Sequence, residues 1–519
     1  MKENKRNKSK NTESCSNVSN SLTGFYIAAV LGVLPLFAIG GYSNITQTKS
    51  KLFYVVTIIY IIASAVVWLF SRLADKKSFK CISIKPDVID ISVASFGAVA
   101  FFSAILSDYQ RDVWLGENSR YQGCLTILLY VVVFFVISRN FSFTNSALIA
   151  SVTAFTFVCL IGIFNCFDID VLGIYSVIGD SYKTICISTI GNINFYSSYI
   201  CLLFPFVICG FCQAKEKLSV IIYLTAIVVG TLGAMMTSSE SFMVGFILSI
   251  IIVSVIFLKD ADKTKRLIFA LGLILVIAQI YRLFCLLVKE PNYKISDLLN
   301  IVTNPIVTAV LLVVLFFSYL IINRNSASII TIRKVYIILI AVACLSGGAV
   351  IIAANTILTE MDFKWLDAYI KFTADWGTDR GEIWRMCIDV YKGLNLKEKI
   401  FGTGPETLYR FINTSKTFEG LNLDQAHNEY LQHLLTIGLA GLMSYMSVIV
   451  GVCVVVFKYL KSDHLGVAVF AGLIAYWVQA FFNIAQPFTT PVMYIYVALI
   501  GGIFAKNKAT KIIEEKRRK

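Results

Sequence analysis

An all-α protein that crosses a membrane many times is the fold class this sequence predicts. Three observations carry the prediction. Of 519 residues, 57 % are hydrophobic and only 15 % charged, where a soluble domain is about a quarter charged. About fourteen apolar runs reach the roughly 20 residues that span a hydrocarbon core. Lys and Arg collect in alternate connections between those runs, which marks a fixed orientation in a bilayer. The mean hydropathy of +0.74 agrees. A soluble enzyme and a disordered chain are excluded, and 8 Pro with 31 Gly exclude collagen-like or linker-rich material.

Along the chain, residues 1–21 form a basic tail with no convincing small-residue cleavage site, so the run that follows reads as a retained first span. Eleven spans fill residues 22–353, centred near 31, 61, 97, 131, 157, 203, 227, 250, 278, 312 and 344. Three more, centred near 446, 474 and 498, fill 430–505, and a second basic tail closes 506–519. The basic connections are Lys2 to Lys10, Arg72 to Lys85, Arg139, Lys215 with Lys217, Lys259 to Arg266, Arg324 to Lys334, Lys458 with Lys461, and Lys506 to Lys519. Their alternation places both termini in the cytoplasm. The net charge of +14 is then an orientation signal reinforced by an anionic inner leaflet, and no nucleic-acid partner is implied. Thirteen cysteines are scattered, mostly inside apolar runs where a thiol acts as a small hydrophobe. Cys209 and Cys212 have redox spacing without a redox-fold context. Cys166, Cys186 and Cys387 fall on the outer side, where pairing is chemically open.

One connection breaks the rhythm. Residues 354–429 are polar, with 12 acids against 9 bases, and read as a folded extracytoplasmic cap with short helices rather than a tail. No internal repeat is evident, which counts against a transporter with pseudo-symmetric halves.

Four polar constellations fall on the outer side. In Trp114-Leu-Gly116-Glu-Asn-Ser-Arg120-Tyr-Gln-Gly123, Arg120 runs against the topological bias. It can fork onto a phosphate or snorkel to lipid headgroups. Asn192 and Asn194, in Gly191-Asn-Ile-Asn-Phe195, suit a helix cap better than a sugar site. In Asp379-Arg380-Gly-Glu382-Ile-Trp384-Arg385, Asp379 and Glu382 have capping-box spacing. Ile383, Met386, Cys387 and Val390 then form an apolar stripe, and Arg380 takes the first helical position, where backbone N–H groups and a guanidinium can meet one anion. Trp384 shares its face. Arg385 lies about 140° around from Arg380, with Asp389 at i+4 as a structural partner, and ranks lower. In Asp424-Gln-Ala-His427-Asn428, His427 can exchange a proton near neutral pH, with Asp424 one turn back to fix its tautomer; a structural hydrogen bonder is the plainer reading. Of the other histidines, His464 falls on the cytoplasmic side and His433 inside the twelfth span.

Fainter signals complete the inventory. Gly402-Thr-Gly404-Pro405 reads as a turn. Asp168 and Asp170 could hold a metal through oxygens, but lack clustered His or Cys. Arg282, near the outer end of the ninth span, is a functional candidate or a snorkelling one.

Together, Phe401-Gly-Thr-Gly404, Asp424-Gln-Ala-His427-Asn428-Glu-Tyr-Leu431 and Gly438-Leu-Ala-Gly441 resemble the core of the O-antigen ligase and polymerase family of bacterial membrane glycosyltransferases. Trp477-Val-Gln479 through Asn483 to Gln486-Pro487-Phe488 is similar to that family's last outer loop. Trp114 to Gly123 and Gly191 to Phe195 also recur there. The resemblance implies a GT-C-like fold in the bacterial plasma membrane. It implies an undecaprenyl-diphosphate-linked glycan donor, a saccharide, lipid or protein acceptor, and polysaccharide-assembly partners. It also implies transfer without a metal or other cofactor. His427 becomes the base or acceptor-positioning group, and Arg380 and Arg120 the diphosphate contacts. Asp424, Asn428, Trp384, Arg385 and Arg282 are further substrate-binding candidates. The sequence departs from the family at Thr237-Ser-Ser-Glu240-Ser241, where Glu240 stands in place of an expected arginine, so that Arg282 or Arg385 substitutes or the donor is gripped differently. A polymerase of capsular or exopolysaccharide is favoured over a ligase. The rival reading is a lipid-linked oligosaccharide flippase or other transporter.

Overall fold

The structure, a computed structural model, describes residues 17–74, 86–117, 119–140, 145–174, 185, 187–288, 295–363, 366–410 and 425–518. Among them the chain is helical and no strand occurs. A helix lies at each of the fourteen centres, and twelve helices are long and apolar enough to cross a membrane. Of the twelve, ten precede the cap: α1 (Asn17–Leu36), α2 (Ile45–Ala74), α3 (Val88–Leu106), α5 (Asn145–Cys166), α6 (Ile193–Gln213), α7 (Lys217–Thr237), α8 (Glu240–Phe257), α9 (Ala261–Val288), α11 (Pro305–Arg324) and α12 (Ser328–Thr356). The other two are α17 (Gly438–Val455) and α18 (His464–Gln479). The remaining centres fall on α4 (Cys124–Arg139), shorter at 16 residues, and α19 (Thr490–Arg518). Short helices complete the chain: α10 (Asp297–Val302), α13 (Asp367–Ile370), α14 (Trp376–Gly393), α15 (Leu396–Phe401) and α16 (Glu429–Thr436).

Side-chain caps set the helix starts. The Asp87 carboxylate accepts from the Ile89 and Asp90 amides, and Asp90 reciprocates in a capping box. Asn192, Ser239, Asn304 and Asp463 cap α6, α8, α11 and α18, satisfying amides that a membrane interior leaves unpaired. At the same end as Asp87, Arg139 closes α4 and pairs with Asp90 at 2.8 Å.

Helix α6 is the axis of the bundle. It is buried over 94 % of its apolar window, whereas α12 is buried over 6 % and α11 over 11 %. It packs on α7, α8, α9 and α18. Small groups make the approach possible: a Cβ on Gly472 of α18 would overlap the Leu202 carbonyl of α6, and one on Gly245 of α8 would come 2.7 Å from the Ala475 oxygen. Polar atoms stitch the same seam, as Ser249 donates to the Ala471 carbonyl at 2.6 Å. The apolar side chains that α11 and α12 leave exposed are what lipid, not water, would cover.

Between α12 and α16 the described residues form a small unit. Ile383, Cys387, Leu408, Ala426 and Leu435 bury one cluster, with Trp384, Met386 and Val390 against it, so the expected stripe of α14 faces α16.

Candidate functional site

The site is built where four chain segments meet at one end of the bundle: the loop 107–123, the start of α6, the connection 480–488, and the unit formed by α14, the 402–407 turn and the start of α16.

Glycines let the 402–407 turn enter. Gly402 has φ 78°, and a Cβ there would overlap the Thr436 carbonyl; Gly438 has φ 79° and abuts the Ile400 carbonyl in the same way. With no side chain in between, the Thr403 amide donates to the Leu435 oxygen at 3.1 Å and the Gly404 amide to the Thr436 oxygen at 2.8 Å. The turn thus locks onto the α16–α17 junction. It carries Glu406, buried, whose Oε2 accepts from the Arg120 amide at 3.0 Å and from Gln425 Nε2 at 3.1 Å. Gln425 Nε2 also donates to Ser119 Oγ at 2.7 Å. Glu406 therefore ties the Arg120 loop to the segment that leads into His427.

Helix α14 begins differently from the capping box the sequence suggests. Gly377, Thr378 and Asp379 all have positive φ near 63°, and no side chain caps the helix. Asp379 therefore does not act as the cap; the regular turn starts at Arg380. Glu382 turns instead to Arg385, pairing at 2.6 Å, and Asp389 pairs with Lys392. The expected Arg385–Asp389 pair does not form, because i,i+3 partners on either side take both groups.

Arg380 is half-buried. Its Nε donates to the Phe482 carbonyl at 3.1 Å and its Nη1 to the Gly377 carbonyl. Two of its five N–H donors are spent this way, and no carboxylate pairs with it among the described residues. Burial pulls its pKa below the usual guanidinium value. Aromatic rings wall it: Trp376 and Trp384 centroids lie 5.2 Å apart, Trp384 meets Phe481 at 5.0 Å, and Trp376 meets Phe482 at 6.0 Å. The buried Trp384 Nε1 has no hydrogen-bond partner among the described residues. From Phe481 and Phe482 of this wall an apolar groove runs past Tyr430, Leu442, Met446 and Trp477.

Arg120 lies in the 107–123 loop. Its guanidinium lies 5.5 Å from the Phe195 ring at the start of α6. Asn192 caps that helix through the Asn194 and Phe195 amides, as its position suggests. Asn483 Nδ2 donates to the Asn194 carbonyl at 3.0 Å and to Ser198 Oγ at 2.8 Å, and Ser198 donates to Gln479. These hydrogen bonds fasten the start of α6 to the 480–488 connection and to the end of α18. His427 takes a left-handed backbone, φ 49°, and Asn428 behind it caps α16 through the Leu431 amide at 3.0 Å. Tyr430 OH donates to the Trp477 carbonyl at 2.6 Å and its ring contacts Phe481. Arg380, through the Phe482 carbonyl, and Tyr430, three residues after His427, through the Trp477 carbonyl, are thus both fastened to residues 477–482.

Other candidates lie elsewhere. Arg282 donates to the Asn300 carbonyl, Asn300 Oδ1 and Thr303 Oγ1, holding α10. Glu240 accepts from Tyr369 OH at 2.7 Å and anchors the cap unit to α8. Arg385 is 68 % exposed and engaged by Glu382. Asp170 accepts from the Ile174 amide. Asp424 and Cys186 lie outside the described residues, while Cys387, Cys209 and Cys212 are free thiols.

Two groups escape sequence reasoning. Glu429, at 2 % exposure, accepts from Tyr445 OH at 2.7 Å and Tyr476 OH at 2.9 Å, and His433 Nε2 lies 3.8 Å away. Lys49, fully buried, donates to the Leu34 and Pro35 carbonyls at 2.8 and 2.6 Å and faces the Phe488 ring at 5.8 Å. The available signal was a lone charge inside or beside an apolar run.

A family model described as O-antigen ligase matches residues 298–446. The match supports the O-antigen ligase and polymerase family, and it spans Arg380, Trp384, Arg385, His427 and Asn428. No curated protein matches the chain.

Proposed function

We propose, for a multi-pass membrane protein of the O-antigen ligase and polymerase family, that the site moves a glycan from a polyprenyl diphosphate to an acceptor hydroxyl on the outer face of the bacterial plasma membrane. The observation that carries the reading is Arg380: a half-buried guanidinium without a carboxylate partner among the described residues, bonded to the carbonyl of Phe482, whose ring with that of Phe481 lines an apolar groove. A lipid diphosphate offers the matching parts, an anion for the fork and a hydrocarbon chain for the groove.

In the reaction the acceptor oxygen bonds to the anomeric carbon as the bond to the diphosphate oxygen breaks. The leaving diphosphate keeps that electron pair, and its charge grows. Arg380 and Arg120 hold it, doing electrostatically what a divalent cation does elsewhere. His427 takes the acceptor's proton, and Asn428 and the α16 turn hold it in reach. Trp376 and Trp384 offer flat faces to sugar rings. A lipid-linked repeat unit as acceptor makes the protein a polymerase, the preferred form; a finished lipid, wall glycan or protein makes it a ligase. Both termini lie in the cytoplasm on this reading.

The test is reconstitution of the full chain in vesicles with an undecaprenyl-diphosphate oligosaccharide, read by chain growth. His427→Ala should abolish growth and leave the thermal unfolding midpoint unchanged. Translocation of the lipid-linked oligosaccharide without growth would establish the flippase instead.

A further inference from the structure

At the opposite end of the bundle a second cavity opens, a groove between α5, α6, α7 and α18. Its lining is two-toned. The rim carries Lys215, Glu216, Gln213 and His464, and the walls below are Val152, Phe206, Ile222 and Leu465. Gly210 gives the floor its depth, because the Tyr223 ring rests where a Cβ would project. Gln213 Nε2 bridges α6 to α18 by donating to the His464 carbonyl at 2.9 Å, and Arg266 caps the end of α6 through the Phe211 and Ala214 carbonyls. The rim is therefore a built edge.

The surrounding charge is unbalanced. The connections that meet here carry Lys215, Lys217, Lys259, Lys263, Lys265, Arg266, Lys458 and Lys461 against Glu216, Asp260, Asp262 and Asp463. Three of those acids are already engaged: Asp260 by Lys263, Asp262 by Lys265, and Asp463 by the Gly466 amide at 2.7 Å. Among the described residues no carboxylate pairs with Lys215, Lys217, Lys259, Lys458 or Lys461. Burial, with Arg333 and Lys461 as like-charged neighbours, pulls the Lys259 pKa below its usual value, the mark of a positive field without enough counter-charge.

We propose that this groove binds an anionic phospholipid, its phosphate on Lys215 and His464 and an acyl chain against Val152, Phe206, Ile222 and Leu465. A zwitterionic lipid brings its own cation to a rim already crowded with them, and a free anion leaves the apolar walls uncovered. The site is separate from the glycan site and does not depend on its reading.

The test is native mass spectrometry of the full chain released from vesicles of equal phosphatidylglycerol and phosphatidylcholine, with and without inorganic phosphate. The wild type should retain phosphatidylglycerol in preference to phosphatidylcholine. The double variant Lys215→Gln, His464→Gln should lose about fivefold of that preference. Ser219→Trp, which fills the groove and leaves the charges, should lose retention of the lipid itself. Inorganic phosphate should not compete. Equal retention of the two lipids, or unchanged retention in both variants, overturns the proposal. Displacement by inorganic phosphate also overturns it, since the site would then read only the anion.

Discussion

Glu429 has two hydroxyl donors from two different helices and no Lys or Arg partner among the described residues. It sits two positions past His427 and fixes the first turn of α16 to α17 and α18. Glu429→Ala would leave the buried Tyr445 hydroxyl without its acceptor and Tyr476 OH with only Thr490 Oγ1, at 3.3 Å, at about 1–3 kcal/mol; a fall in the thermal midpoint with a matching loss of transfer is the expected result. Arg380 and Arg385 should separate cleanly. Arg380→Lys keeps the charge but loses the planar fork, and transfer should fall at least about tenfold; Arg385→Ala removes an exposed charge paired on its own helix and should change transfer by less than about twofold. Initial rates of chain growth measure both. Burial pushes the Cys387 thiol up to about 12, above its ordinary value of 9.0. A folded thiol that titrates above the unfolded one favours the fold below pH 9, and this advantage is lost as pH rises from 9 towards 12. Alkylation by iodoacetamide at pH 8 should therefore leave Cys387 unmodified until denaturant is added. At this scale the sequence revealed the arginines and His427 because they interrupt apolar or neutral stretches. It hid Glu429 and Lys49 because their partners are tyrosine hydroxyls and backbone carbonyls contributed by other helices.

Among elements, the glycine-lined turn at 402–407 does the work of a latch. Gly402→Ala would force a Cβ into the Thr436 carbonyl at a positive φ, and a loss of roughly 2 kcal/mol or more is expected, read as a lower unfolding midpoint. The turn itself was legible in Gly402-Thr-Gly404-Pro405; its embrace by the α16–α17 junction was not, since that contact joins segments about thirty residues apart. Asp379 shows the opposite case. Capping-box spacing is a local rule, but three successive left-handed residues, held by the Glu382 amide donating to the Ala374 carbonyl at 2.9 Å, override it. Asn192, whose surroundings impose no such turn, caps α6 as its position suggests, and Asn428, read from the sequence as a substrate-binding candidate, caps α16.

For the molecule as a whole, periodic apolar length was enough to place a helix at every centre, because in a bilayer nothing else satisfies the backbone. What composition could not rank was depth: α6, α11 and α12 are all strongly apolar, yet α6 lies at the axis and α11 and α12 at the rim. The difference lies in which neighbours supply glycine and serine for close approach. If guanidinium groups alone hold the diphosphate, exhaustive chelation with EDTA should leave the rate of chain growth within about twofold, and a loss restored by magnesium would show that a cation shares the load.

The axial position of α6 has a mechanical consequence. Its 21 residues measure about 32 Å, close to a hydrocarbon core of about 30 Å, and hydrogen bonds fasten it at both ends, from Asn483 to Asn194 and from Gln213 to His464. A thinner or thicker membrane would therefore be accommodated by tilting of the loosely packed outer pair, α11 and α12, while the spacing between the two fastened ends stays constant.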